Sequence, residues 1–217
     1  MTVELFAHPF SSYCQKVLIA LYENDVAFTW RMIEDPGVGE ELARLWPMKR
    51  FPILRENGRV VMETSAIIEY LQLHHPGPVR LIPDDPELAI EARMMDRVFD
   101  NYIMTPQGKF VFDALRPAES RDAYGVEEAR RMLDVSYDWL DGRMKDRIWA
   151  AGDDFTLADC AAAPSLFYAD WTHAIPDRFE HLRAYRARLL QRPSFARAVE
   201  EARRFRHYFP LGAPDRD

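Results

Sequence analysis

Cysteine is nearly missing from this chain. Cys14 and Cys160 are the only two among 217 residues, and their separation suggests no disulfide framework. No apolar run approaches the length that spans a bilayer. The opening MTVELFAHPFSS lacks a basic segment followed by an apolar core, so no signal peptide is expected and the cytoplasm is the default compartment. The six histidines and the scattered acids show no metal-ligand spacing, and no glycine loop of the phosphate-binding kind occurs; no metal is expected. Positive charge is also short: 28 Lys and Arg against 35 Asp and Glu leave a net −7. That balance argues against generic attraction to nucleic acid or to an anionic membrane. The arginines between Arg183 and Arg206 are interrupted by Glu200 and Glu201, with no aromatic-basic platform, and read as a solvated helical face. Internal repeats and low-complexity tracts are absent.

What is present is a globular composition, 48% hydrophobic and 29% charged, on a chain long enough for one large or two modest domains. Val3 to Ala7 reads as a first strand, ended by His8 and Pro9. Ser11 and Ser12 can cap a helix from about Tyr13 to Glu23, with Val17, Leu18 and Leu21 inward. Ala27 to Ile33 reads as a second strand and Gly39 to Trp46 as a short helix. The stretch RFPILRENGRVVMETSAIIEYL, from Arg50 to Leu71, carries the most information. Two short apolar runs surround Asn57-Gly58, the strongest two-residue hairpin signal, because both positions accept positive φ. Pro52 has no backbone donor and should open its strand. Ala66, Ile67, Tyr70 and Leu71 have helical spacing, with Thr64 or Ser65 as N-cap. The order β-α-β-α-β-β-α follows, and its β-α-β opening implies a parallel pair with a right-handed crossover.

At His75 the texture changes, and Pro76, Pro78, Pro83 and Pro86 mark a linker. Beyond it only helices are expected. Leu88 to Met104 runs through Ala92, Met95, Phe99 and Tyr102, and Val126 to Lys145 through Leu133, Tyr137, Leu140 and Met144. Thr156 and Asp159 have capping-box spacing, with Phe155 and Cys160 at the hydrophobic-staple positions. Pro193 separates a helix near Phe179–Leu190 from another near Phe195–Phe205. The expected organisation is an α/β domain over residues 1–78, a linker over 79–87 and an all-helical domain over 88–217.

This order of elements resembles a cytosolic glutathione transferase over essentially the whole chain, with a thioredoxin-like first domain. Ser11-Ser12-Tyr13-Cys14-Gln15-Lys16-Val17 stands where that family places its activating residue. Trp46-Pro47-Met48-Lys49-Arg50-Phe51-Pro52-Ile53-Leu54 resembles its Asn-Pro-x-x-x-Val-Pro-x-Leu, and Glu63-Thr64-Ser65-Ala66-Ile67 its Glu-Ser-x-Ala-Ile. The Phe155–Asp159 stretch is similar to its helical-domain capping box. Trp46 for Asn and Phe51 for Val depart from the pattern, whereas Thr64 keeps the hydroxyl of Ser.

The resemblance implies glutathione as co-substrate and a two-fold homodimer, with no metal, nucleic acid or membrane partner. It implies a cis bond before Pro52, with Phe51 presenting its backbone to an extended peptide. Glu63 and Thr64, at a helix N-terminus, suit the γ-glutamyl carboxylate and ammonium. Arg50 can meet the tripeptide's other carboxylate or remain a solvated surface arginine. Ser11, with Ser12 as rival, would hold the thiol as thiolate for attack on a small apolar electrophile; both serines could instead only cap the helix. Ser11-x-x-Cys14 is a Cys-x-x-Cys frame without its first cysteine, which removes two-thiol exchange and leaves Cys14 as a small packed residue. Tyr102, Met104, Phe110, Phe167, Tyr168 and Trp171 are candidate walls for the electrophile. Pro47-Met48-Lys49 and the paired serines also resemble zeta-type maleylacetoacetate isomerases, although Tyr-Cys-Gln-Lys stands where Cys-Ser-Trp-Arg is expected. A glutathione-binding protein without turnover is the third reading.

Overall fold

The computed structural model describes residues 2–217. Its first part is one mixed sheet: β1 (Val3–Ala7), β2 (Phe28–Met32), β3 (Ile53–Glu56) and β4 (Arg59–Val61), in the order β2-β1-β3-β4. β1 pairs parallel with β2, across the crossover helix α1 (Ser12–Glu23), and antiparallel with β3. The period of two sorts β1 by face. Val3, Leu5 and Ala7 join the main core with Val17, Leu18 and Leu21, while Phe6 joins a smaller cluster with Val38, Leu42 and Ile53. That second cluster seats α2 (Val38–Leu45) on the opposite face of the sheet. β3 and β4 close through Asn57 (φ 50°) and Gly58 (φ 81°), the two positive-φ positions that the turn demands.

The helix α3 (Thr64–His74) corrects one expectation. Neither Thr64 nor Ser65 caps it; Glu63 does, at φ 65° and ψ 122°, with no side-chain cap bond. The Ser65 hydroxyl is unavailable as a cap because it is spent in a buried polar cluster, where it accepts from Lys16 Nζ at 3.2 Å and donates to Asp96 at 2.7 Å.

The second part is helical: α4 (Pro86–Val98), a π-helical segment (Phe99–Met104), α5 (Thr105–Ala114), α6 (Ala123–Met144), α7 (Leu157–Thr172), α8 (Glu180–Gln191) and α9 (Pro193–Arg203). The π segment explains a second difference. Its wider turn moves the inward position from Tyr102, which is 49% exposed, to Ile103, which is buried behind Ala92, Met95 and Phe99. The chain also continues helically through α5, past the expected end at Met104, with Pro106 following just after the π segment.

α7 is buried on every side from Leu157 to Asp170 and forms the central post against α1 and α4. Its capping box is complete: Thr156 Oγ1 accepts from Ala158 N–H at 3.3 Å, and Asp159 Oδ2 accepts from Thr156 N–H at 2.9 Å. The arginines after Arg183 are not uniformly solvated. Arg186 is largely covered beside Asp170, and Arg192 forms a two-pronged pair with Glu23 of α1, because α8 and α9 pack onto neighbouring helices. No helix among the described residues is long and apolar enough to cross a membrane.

Candidate functional site

The polar ends of the first part and the helices of the second enclose a cleft of about 890 Å³. Ser11, Ser12, Arg50, Phe51, Pro52, Glu63 and Thr64 all line it. Residues from three separate loops are therefore brought to one surface.

Ser11 is the N-cap of α1, in extended conformation at φ −79° and ψ 125°. Its Oγ accepts from Cys14 N–H at 3.4 Å, which leaves its own O–H free to donate into the cleft. Its backbone N–H is satisfied by His8 O at 3.0 Å, while the N–H groups of Ser12 and Tyr13 have no partner among the described residues. A hydroxyl donor and two free amides at the start of a 12-residue helix form a compact anion-stabilising end. Tyr13 beside them was not anticipated. Burial pushes its phenol above the ordinary range, so it stays a neutral donor at physiological pH.

Cys14 lies behind this end, fully buried, with its sulfur accepting His8 N–H at 3.4 Å. Burial raises its thiol to about 12, so it offers essentially no thiolate near neutrality.

The Phe51–Pro52 bond is cis. Neither the N–H nor the C=O of Phe51 is hydrogen bonded among the described residues, although both residues line the cleft. Across from it, Glu63 holds a backbone conformation that costs a non-glycine residue of order 1–3 kcal/mol. The N–H groups of Thr64, Ser65 and Ala66 begin α3 without backbone partners among the described residues, the first ladder bond there being Ile67 N–H to Glu63 O at 2.9 Å. Two helix N-termini thus open onto the same cleft.

Beneath α3 lies a charge cluster that sequence reading missed. Lys16, on α1 and 1% exposed, pairs with Asp96 at 2.5 Å and Asp100 at 2.8 Å, across the junction between the sheet and helical parts. Arg97 donates to Asp96, Asp100 and Ser65 from the outside. Burial pushes the Asp100 carboxyl above the ordinary range, against the pull of the Lys16 ammonium. Asp100 and Arg97 both line the cleft.

Of the six expected walls for a second substrate, Met104 and Tyr168 line the cleft. Tyr102 points to solvent, and Phe110, Phe167 and Trp171 pack in or against the core. Their places are taken by Phe10, Val111, Phe112 and the C-terminal Tyr208, Phe209 and Pro210. Tyr168 is itself tied down, donating to Phe10 O at 2.9 Å and accepting from Gln15 at 3.1 Å.

Family models described as glutathione S-transferase, N-terminal domain, and glutathione S-transferase, C-terminal domain, match residues 5–79 and 103–193. Among curated relatives, a stringent starvation protein A homolog from Coxiella burnetii is 26% identical, with 91% of each chain covered. A probable maleylacetoacetate isomerase from Caenorhabditis elegans is 27% identical, over 76% of this chain and 78% of the relative. A glutathione S-transferase from Methylobacterium radiotolerans, solved in complex with glutathione sulfonate, is 29% identical. It superposes with a TM-score of 0.79, over 92% of this chain and 95% of that one.

Proposed function

We propose, on the premise that this chain belongs to the glutathione S-transferase family, that it conjugates the thiolate of glutathione to a small apolar electrophile. The observation that carries this reading is the convergence, on one cleft, of Ser11 at one helix N-terminus, Glu63 and Thr64 at another, and the unpaired backbone of Phe51. The amides that begin α3 and the Thr64 hydroxyl would take the γ-glutamyl carboxylate, and Glu63 its ammonium. The N–H and C=O of Phe51 would pair with the cysteinyl unit in the manner of an added strand. Arg50 would meet the glycyl carboxylate. This leaves the sulfur beside Ser11, whose hydroxyl donates to it. A free thiol of this kind, with a pKa of about 8.5, is only a few per cent thiolate at pH 7. A charge-assisted donor and a helix N-terminus shift that balance toward the anion. The sulfur then forms its bond to the electrophilic carbon, and the leaving group departs with the bonding pair. No group of the protein needs to act as nucleophile, and the burial of Cys14 fits that division of labour.

Titration calorimetry tests the binding half. Saturable heat with millimolar glutathione is expected, and Thr64→Val should weaken binding by about 1 kcal/mol, roughly fivefold. No saturation with the folded wild type would overturn the reading.

A second reading, isomerisation with glutathione as catalyst, draws support from the two serines side by side in the cleft and from the relative named maleylacetoacetate isomerase. Turnover without loss of glutathione distinguishes it from conjugation.

We also read the chain as a two-fold homodimer. Met132, Val135 and Trp139 form an exposed apolar row at helical spacing on α6, and Ile90 and Met94 another on α4. The two helices are tied by Arg143 and Arg147 to Glu91, next to both rows. Light scattering should give twice the 25.3 kDa chain mass, and Trp139→Asp should shift the protein toward monomer. A monomeric wild type would exclude this assembly.

A further inference from the structure

The helical wall of the cleft has a composition that points to a class of electrophile. Met104, Gly108 and Phe112 succeed one another at intervals of four and share one helical face. Gly108 leaves the middle of that face without a side chain; a Cβ placed there would touch the Phe112 ring at 3.5 Å. The result is an apolar strip that is low at its centre, where the edge of the Phe112 ring stands beside Gly108. Gln107 and Lys109 flank Gly108, and both also line the cleft.

Neither flanking group is firmly held. Gln107 is only 5% exposed as a whole residue, but it lines the cleft, and its amide has no protein hydrogen bond among the described residues. The Lys109 side chain is 52% exposed, and its nearest carboxylate is Asp122, at 4.0 Å. Asp122 is already committed as the N-cap of α6, accepting from Gly125 N–H at 2.8 Å. The other charges of the cleft are accounted for. Arg97 and Asp100 neutralise each other within the Lys16 cluster. Lys49, Arg50 and Glu63 belong to the loops assigned to the tripeptide. The most loosely held charge on the helical wall is therefore positive, although the chain as a whole carries −7.

We propose that the second substrate is a flat, unsaturated or aromatic carboxylic acid, its ring or double bond lying on Gly108 and its carboxylate taken by Lys109 and Gln107. The inference rests on the glutathione-transferase reading and narrows it from any apolar electrophile to an anionic one. Lys109 acts here as a specificity-determining residue; the chemistry remains attack by sulfur.

Two matched aryl chlorides test this: 4-chloro-3-nitrobenzoate and its methyl ester. In each, the thiolate sulfur bonds to the chlorine-bearing carbon and chloride leaves with the electron pair. Wild type and Lys109→Ala are compared by the acid-to-ester ratio of kcat/KM. A charged hydrogen bond of this kind corresponds to roughly tenfold or more, so the ratio should fall by about tenfold in Lys109→Ala. Lys109→Arg should restore it. Gln107→Met should lower the same ratio, and Gly108→Leu should lower kcat/KM for both compounds by closing the strip. An unchanged ratio in Lys109→Ala overturns the inference while leaving glutathione conjugation standing. A wild type that conjugates neither compound overturns the inference, and if it also fails to bind glutathione by calorimetry, the transferase reading falls with it.

Discussion

Replacing Lys16 with methionine is expected to destabilise the fold by about 3–5 kcal/mol, because it leaves two buried carboxylates with only the half-exposed Arg97 between them. Asp96 and Asp100 sit at 2.5 and 2.8 Å from the ammonium, and Arg97, on the solvent side, cannot replace it. For a chain of this length that corresponds to a fall in Tm of roughly 10 °C. The pH dependence has a definite sign. Asp100 holds its proton more tightly folded than unfolded, so the stability it contributes is greatest below the ordinary carboxylate pKa and is lost as pH rises through its raised folded value. Without the ammonium that value rises further. The deficit of Lys16→Met should therefore be widest at neutral pH and narrow on mild acidification. Thermal melts of both proteins across that range measure it, and a pH-independent deficit below 1 kcal/mol would show that the cluster is not an ionic pin.

The second large effect concerns turnover. Ser11→Ala with Ser12→Ala should lower conjugation at neutral pH by about 10–100-fold, the equivalent of a hydrogen bond to a charged group at roughly 1.5–3 kcal/mol. The loss should shrink as pH rises toward the free thiol's range, since bulk hydroxide then forms the thiolate unaided. The effect is bounded on the other side because a less basic thiolate is a weaker nucleophile. Ser11→Ala alone should account for most of the loss. It is Ser11 that caps α1 through Oγ with its proton left over, whereas Ser12 is the first helical residue and makes no side-chain bond among the described residues. Full activity in the double variant would remove the serine from the mechanism.

The elements that sequence reading placed are those whose signals are local. The Asn57-Gly58 turn, the Thr156–Asp159 capping box and the alternating faces of β1 each depend on residues within a few positions. The family motifs put Ser11, Phe51 and Thr64 on one cleft because each motif fixes a loop at the same edge of a thioredoxin-like sheet. What escaped was set at a distance. Nothing near Lys16 announces partners at Asp96 and Asp100, and nothing near Glu23 announces Arg192. The π segment carries no side-chain signature, yet it rotates Tyr102 outward and fixes the phase of Met104, Gly108 and Phe112. Phe110, Phe167 and Trp171 were aromatic at helical spacing, which serves a core as readily as a binding site. The walls at Tyr208, Phe209 and Pro210 come from the chain's end folding back, beyond the reach of periodicity.

One titration bears on the central assignment most directly: the ultraviolet absorbance of the thiolate of bound glutathione, followed against pH in wild type and in Ser11→Ala. A bound thiol ionising about 2 units below its free value in the wild type, and returning most of the way in the variant, is the expected result. A bound thiol that titrates as it does in free solution, with or without the serine oxygen, would contradict it.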